Sequence, residues 1–239
     1  RYVDDPALAL VELTNENGLF QLGTWTAHTP PPSYILDLKA RWNRWLLARY
    51  GDRSKLAADW TNARGESGLG AAEDPASGTV ELPATVVNPG GPDRPYTGPL
   101  GPARTSDGAL FYYELETAYY ATLREHLRGL GLRVPICGTN TPLSPAHLRA
   151  MATLDFTDQH YYWDHPSMFH PVTVQNRPLL AESPLQPSGW QRGSTSVLAA
   201  AKVAGKPFFC TEWGFPYPNQ YRCEGPLLLA AYACLQDWD

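Results

Sequence analysis

Apolar residues in this chain gather in short consecutive runs and in longer periodic stretches, and the two kinds of block alternate. The runs lie at about residues 8–14, 134–138, 154–159 and 208–211. Consecutive rather than alternating apolar positions predict strands covered on both faces, as in a parallel sheet. Between them the spacing turns helical. Over residues 33–50, Ile35, Leu38, Trp42, Trp45 and Leu46 share one face, and Gly51 stands where a helix stop is expected. A short helix follows at 54–60. Another is expected over 107–130, with Asp107 as its cap and Gly131 beyond its end. Ser144-Pro145 opens a short helix in the cap-then-proline pattern, a helix over 196–204 ends at Gly205, and a last one covers 226–238. The sum is an α/β alternation read as a single domain over 1–239. Two stretches break the pattern. Residues 61–106 are rich in Gly, Pro, Asp and Ser, lose apolar periodicity, and read as a long insertion or flexible lid without a core of its own, and residues 164–194 form a second irregular excursion.

Composition narrows the picture. The 239 residues carry a net charge of -5, with no basic footprint for nucleic acid. No apolar run reaches membrane-spanning length. Aromatic residues make up 12%, including 8 Trp and 13 Tyr, and surplus aromatics serve either as core or as flat platforms for sugar rings. Of the four cysteines, Cys137 and Cys210 fall in predicted strands and read as buried thiols; Cys223 and Cys234 are able to pair, but their spacing does not demand it. There is no CxxC, and His165 and His170 lack a carboxylate at ligand spacing, so no metal is expected. Neither a GxSxG elbow nor a GxGxxG turn occurs.

Right-handed crossovers bring the ends of parallel strands to one side. On that side the sequence places Asn15-Glu16, Asn140, His160, Tyr162 and Glu212. Two carboxylates at strand ends facing one cleft divide acid and base duties, mutual repulsion keeping one of them protonated. Each residue also has a plainer reading. Asn140 reads first as a turn residue after the second strand and only second as a ligand contact, His160 as a hydrogen-bonded core histidine, and Glu12, within the first strand, as half of a structural ion pair.

The ordered set Asn15-Glu16, His160-x-Tyr162 and Glu212-Trp213-Gly214, with the lead-in Asp4-Asp5-Pro6-Ala7-Leu8-Ala9-Leu10-Val11-Glu12, resembles the clan A glycoside hydrolases, most closely their family-five, cellulase-like branch. The resemblance implies a partial (β/α)8 barrel running from strand four to helix seven of that fold, with strands one to three and eight unmatched. It implies Glu16 as general acid/base and Glu212 as nucleophile. Asn15 would then contact the neighbouring sugar hydroxyl, Tyr162 would steady the nucleophile, and His160 would touch substrate or the acid/base. Trp213, Trp163, Trp25 and Trp190 become candidate stacking surfaces, with Asn140 as a further substrate contact. The function so implied is a retaining β-glycoside hydrolase acting on β-linked poly- or oligosaccharide, without cofactor or metal. Its rivals are a non-catalytic carbohydrate-binding barrel and an inactive fragment with open strand edges. Export, to the periplasm or outside the cell, follows only from where enzymes of polysaccharides work.

Overall fold

The structure is a computed structural model and describes residues 2–21, 31–83, 101–142, 144–166, 174, 176, 178 and 194–239. The chain divides into two compact units, residues 1–16 with 119–239, and residues 17–118.

The first unit holds the strands. β1 (Val11–Glu12) runs parallel to β2 (Ile136–Cys137), with Val11 opposite Ile136. The ladder continues beyond these short cores: Thr14 N–H donates to Gly138 O at 2.9 Å. β3 (Thr157–Asp158) pairs in parallel with β5 (Phe208–Phe209), and β4 (Tyr161–Tyr162) with β6 (Trp213–Gly214). Asp155 N–H to Ile136 O at 3.0 Å and His160 N–H to Asn140 O at 2.7 Å tie the second expected strand to the third. Each expected strand thus hydrogen-bonds its sequence neighbour. Gly138 is required by packing, because a Cβ there would lie 2.6 Å from Cζ of the buried Tyr120 ring.

Around the strands, Ser144 caps α4 (Pro145–Met151) by accepting from His147 N–H, as the cap-then-proline pattern predicts. The helix expected over 196–204 is α5 (Ser194–Ala200), two residues early at its start and four short at its end. Leu198 and Ala201 bury against Phe208, with Trp213, Leu229 and Trp238 at the margin. α6 (Glu224–Gln236) closes the chain. Cys137 is buried, Cys210 half-buried, Cys223 and Cys234 exposed, and all four are free thiols.

The second unit is built on α1 (Pro32–Tyr50), which ends at Gly51 in a left-handed conformation (φ 82°), and on α2 (Arg53–Asp59). Trp42, Leu46, Leu56, Trp60, Leu69, Val80 and Phe111 are buried there. Trp42 stacks on Trp45 at 5.4 Å and on Trp60 at 6.2 Å between ring centroids. Residues 61–83 differ from the expected coreless excursion. Asn43 clamps Val80, donating to its O and accepting from its N–H, both at 3.0 Å, so this stretch is anchored by polar contacts that apolar periodicity does not register. The helix expected at 107–130 begins earlier, as α3 (Gly101–Gly129), with residues in both units. Asp107, the expected cap, is inside it and accepts from Trp60 Nε1 at 2.8 Å and Tyr50 OH at 2.5 Å. Residues 84–100, and most of the second insertion, fall outside the described residues. No described helix is long and apolar enough to cross a membrane.

Candidate active site

The site lies in the first unit, where the first three strand segments and the β5–β6 segment end. Just beyond β1, Glu16 adopts φ 44°, a left-handed conformation that a non-glycine residue adopts only when its surroundings hold it there. Asn140 supplies the restraint. Its Oδ1 accepts from Glu16 N–H at 2.8 Å, while its Nδ2 donates to Asn15 Oδ1 at 2.9 Å and to Glu12 Oε2 at 2.8 Å. Asn140 is 0% exposed, so it sits beneath the site and shapes the Asn15-Glu16 turn instead of meeting a ligand. Asn15 itself is exposed.

His160 joins the two glutamates. Its Nδ1 lies 3.0 Å from Glu16 Oε1 and 3.5 Å from Glu212 Oε2, and one oxygen of each carboxylate falls within 4.8 Å of the other. Tyr162 OH donates to Glu212 Oε2 at 2.6 Å. That bond, then burial, pushes the phenol up to about 12, which keeps it a donor. His165, expected to lack a metal role, lies edge-on to the Tyr162 ring at 5.9 Å.

Below this layer is a second pair of carboxyls that the sequence reading did not anticipate. His160 Nε2 lies 2.8 Å from Thr211 Oγ1, which is 2.5 Å from Asp158 Oδ2 and 3.2 Å from Glu12 Oε1. Burial, and then a hydrogen bond to Glu12, pushes the Asp158 carboxyl up to about 8. Burial also pushes Glu12 up, but hydrogen bonds from Asp158, Asn140 and Thr211 outweigh it and hold Glu12 below its ordinary value. The two carboxyls therefore share a proton between them. Among the described residues, Glu12 meets Asn140 Nδ2 at 2.8 Å and Thr211 Oγ1 at 3.2 Å, not the Lys or Arg of a structural ion pair. One sequence signal was present: Asp158 and His160 are two residues apart on one strand segment and share a face.

The aromatic platforms fare less well. Trp163 is 1% exposed and packs with Phe215 in the core, so it is no stacking surface. Trp213 is half-buried against the same cluster, 6.0 Å from Phe215. Trp25, Trp190 and His170 lie outside the described residues. Among the described residues, Glu12–Asp158–His160 and Glu16–His160–Glu212 each bring three ligand-type atoms within 4.8 Å. Thr211 bridges the members of the first group, and His160 those of the second.

Comparison with family models, with curated proteins and with solved structures returned no match.

Proposed function

We propose that the protein is a retaining glycosidase that hydrolyses β-linked poly- or oligosaccharide through Glu212 and Glu16. One observation carries this reading: two glutamates from different parallel strand segments approach within 4.8 Å at a shared histidine, with a tyrosine on one of them. Retaining enzymes hold their carboxyls about 5–5.5 Å apart, whereas inverting ones leave room for a water between them. Glu212, oriented by Tyr162, attacks the anomeric carbon and forms a glycosyl ester while Glu16 protonates the leaving oxygen. Glu16, now ionised, takes a proton from water, which displaces the sugar from Glu212 and restores both groups. Asn15, exposed beside Glu16, offers its amide N–H to the adjacent sugar hydroxyl.

The same reading takes the first unit as part of a (β/α)8 barrel. Its support is the sequential parallel pairing of the strand segments, with the chemistry at their carboxyl ends. The substrate class and an exported location belong to this proposal as well. So does the absence of a nucleic-acid partner, for which the net charge of -5 is the support.

Azide rescue provides the test. With an activated aryl β-glycoside, Glu212→Ala is expected to lose turnover and to regain it with added azide, yielding the α-glycosyl azide. Unaltered turnover in the variant would sink the nucleophile assignment. Saturable oligosaccharide binding with no hydrolysis by the unmodified protein would favour a non-catalytic binding role.

A further inference from the structure

The hydrogen bonds beneath the two glutamates fix more than their positions. Thr211 has a single hydroxyl proton and three polar neighbours: His160 Nε2 at 2.8 Å, Asp158 Oδ2 at 2.5 Å and Glu12 Oε1 at 3.2 Å. Thr211 N–H also donates to Asp158 Oδ1 at 3.1 Å, which seats the residue against the pair. Glu12 and Asp158 bring carboxylate oxygens within 4.8 Å of each other, and a buried pair so close holds one proton and one negative charge between them. The Thr211 proton goes to this pair, with Asp158 Oδ2 at 2.5 Å and Glu12 Oε1 at 3.2 Å, because a hydrogen bond to an ionised acceptor is about twice as strong as a neutral one. Its oxygen is then left as the acceptor for His160, and Nε2 must carry a hydrogen. In the neutral imidazole the other nitrogen, Nδ1, is a bare lone pair 3.0 Å from Glu16 Oε1.

We propose that Glu12, Asp158 and Thr211 are positioning residues that hold His160 in the Nε2–H tautomer, so that Nδ1 accepts the acid proton of Glu16. On the glycosidase reading, on which the catalytic meaning of this device rests, the contact favours the protonated form that Glu16 needs before the first step. It also responds to pH, because loss of the Asp158 proton puts a second negative charge beside Thr211 and changes the field at the His160 ring. The other ionisable groups around Asp158 are Glu12 on β1, Cys137 on β2, and Cys210 beside Thr211. Burial, and then the Asp158 charge, pushes Cys210 up to about 12, and Cys137 is raised by the same causes with Glu12 added, so neither titrates near neutrality. Around His160 itself stand Glu16, Glu212 and Glu12.

Imidazole nitrogen NMR on protein labelled with 15N-histidine reads this directly, with the His160 signals identified by their loss in His160→Gln. The expected result for the neutral ring is a protonated Nε2 and an unprotonated Nδ1. A further step in both shifts is expected near the Asp158 midpoint of about 8. Asp158→Asn, which keeps the shape of the protonated acid, should abolish that step. Glu12→Gln should move it to lower pH, and Thr211→Val should mix the two tautomers. A neutral ring protonated on Nδ1, or an unchanged step in Asp158→Asn, would overturn the proposal. In parallel, Thr211→Val should slow β-glycosides with poor leaving groups about tenfold while sparing those with activated ones. A merely structural role would slow both alike. If the unmodified protein turns over no glycoside but the His160 nitrogen signals behave as stated, the tautomer assignment stands and the glycosidase reading falls.

Discussion

Each unit holds a cluster of carboxyl groups, and the two clusters neutralise them in opposite ways. In the second unit, Arg104 forms a two-pronged ion pair with Glu73, at 2.6 and 2.8 Å, and also donates to Gly68 O and Glu81 O. Its guanidinium lies 4.9 Å from the Trp60 ring centroid. Asp107 is similarly enclosed by Trp60, Tyr50 and Arg49. Burial pushes Glu73 up, yet Arg104 and the N–H groups of Glu81 and Gly70 outweigh it and hold the carboxyl below its ordinary value. In the first unit the carboxyls of Glu12, Asp158, Glu16 and Glu212 meet each other, a histidine, a tyrosine, a threonine and an asparagine, with no Lys or Arg among the partners described above. Charge matched to charge holds a fold, whereas acids arranged against acids hold protons.

Substitutions separate the two kinds of cluster, and the largest effects come first. Glu212→Ala should reduce turnover by about 10⁴-fold or more, since a nucleophile is not replaced by its neighbours. The folded protein should be no less stable, because one of several crowded acids has gone. Glu73→Ala reverses this logic. It leaves Arg104 buried without its counter-charge and should cost about 3–5 kcal/mol, read from the urea midpoint. If Glu212→Ala unfolds the protein while Glu73→Ala does not, the contrast between the units fails.

Tyr162→Phe tests the site at finer grain. The hydroxyl is held protonated, with its titration raised to about 12, and donates to Glu212 at 2.6 Å. Hydrogen bonds to charged groups contribute about 1.5–3 kcal/mol, so turnover should fall roughly 10- to 100-fold with little change in folded stability. Loss of stability without loss of turnover would assign Tyr162 to packing.

What the sequence made legible, and what it hid, follows the same physics. Asn15, Glu16, His160, Tyr162 and Glu212 were readable because each closes an apolar run, and strand ends on one side must converge. The helix face of Leu38, Trp42 and Leu46 was readable for the same reason, periodicity being a local property. Trp163 was misjudged because its role depends on depth, which spacing along a strand does not report, whereas Asn140 holds a turn, as its position after the second strand favoured. The Glu12–Asp158 pair was hidden since a strand position alone does not show whether an acid faces a cation or another acid. In the second unit, the early start of α3 rests on contacts such as Arg104 with Glu73, made between residues far apart in a Gly- and Pro-rich stretch. No local pattern announces them.

The smallest effect per step is also the most direct probe of the contrast, because the two clusters give stability opposite slopes with pH. Asp158 titrates near 8 in the folded protein against an ordinary value of 3.8. A raised acid contributes its full stabilisation below about pH 4 and loses it as pH rises toward 8, since the folded state there binds more protons than the unfolded one. Glu73 is lowered from an ordinary 4.5, so its contribution is complete above that pH and disappears as the pH falls through the folded value; Glu12 behaves likewise. A single proton limits either slope to about 1.4 kcal/mol per pH unit. Urea midpoints measured from pH 3 to 9 should therefore peak on the acid side of neutrality. Asp158→Asn should flatten the decline between about pH 5 and 8 and leave the acid limb in place. Glu73→Gln should lower the whole curve and flatten the acid limb, leaving the decline toward 8. Should both variants flatten the same limb, the acids of the two units would be doing the same job, and the proton held under His160 would have no distinct thermodynamic signature.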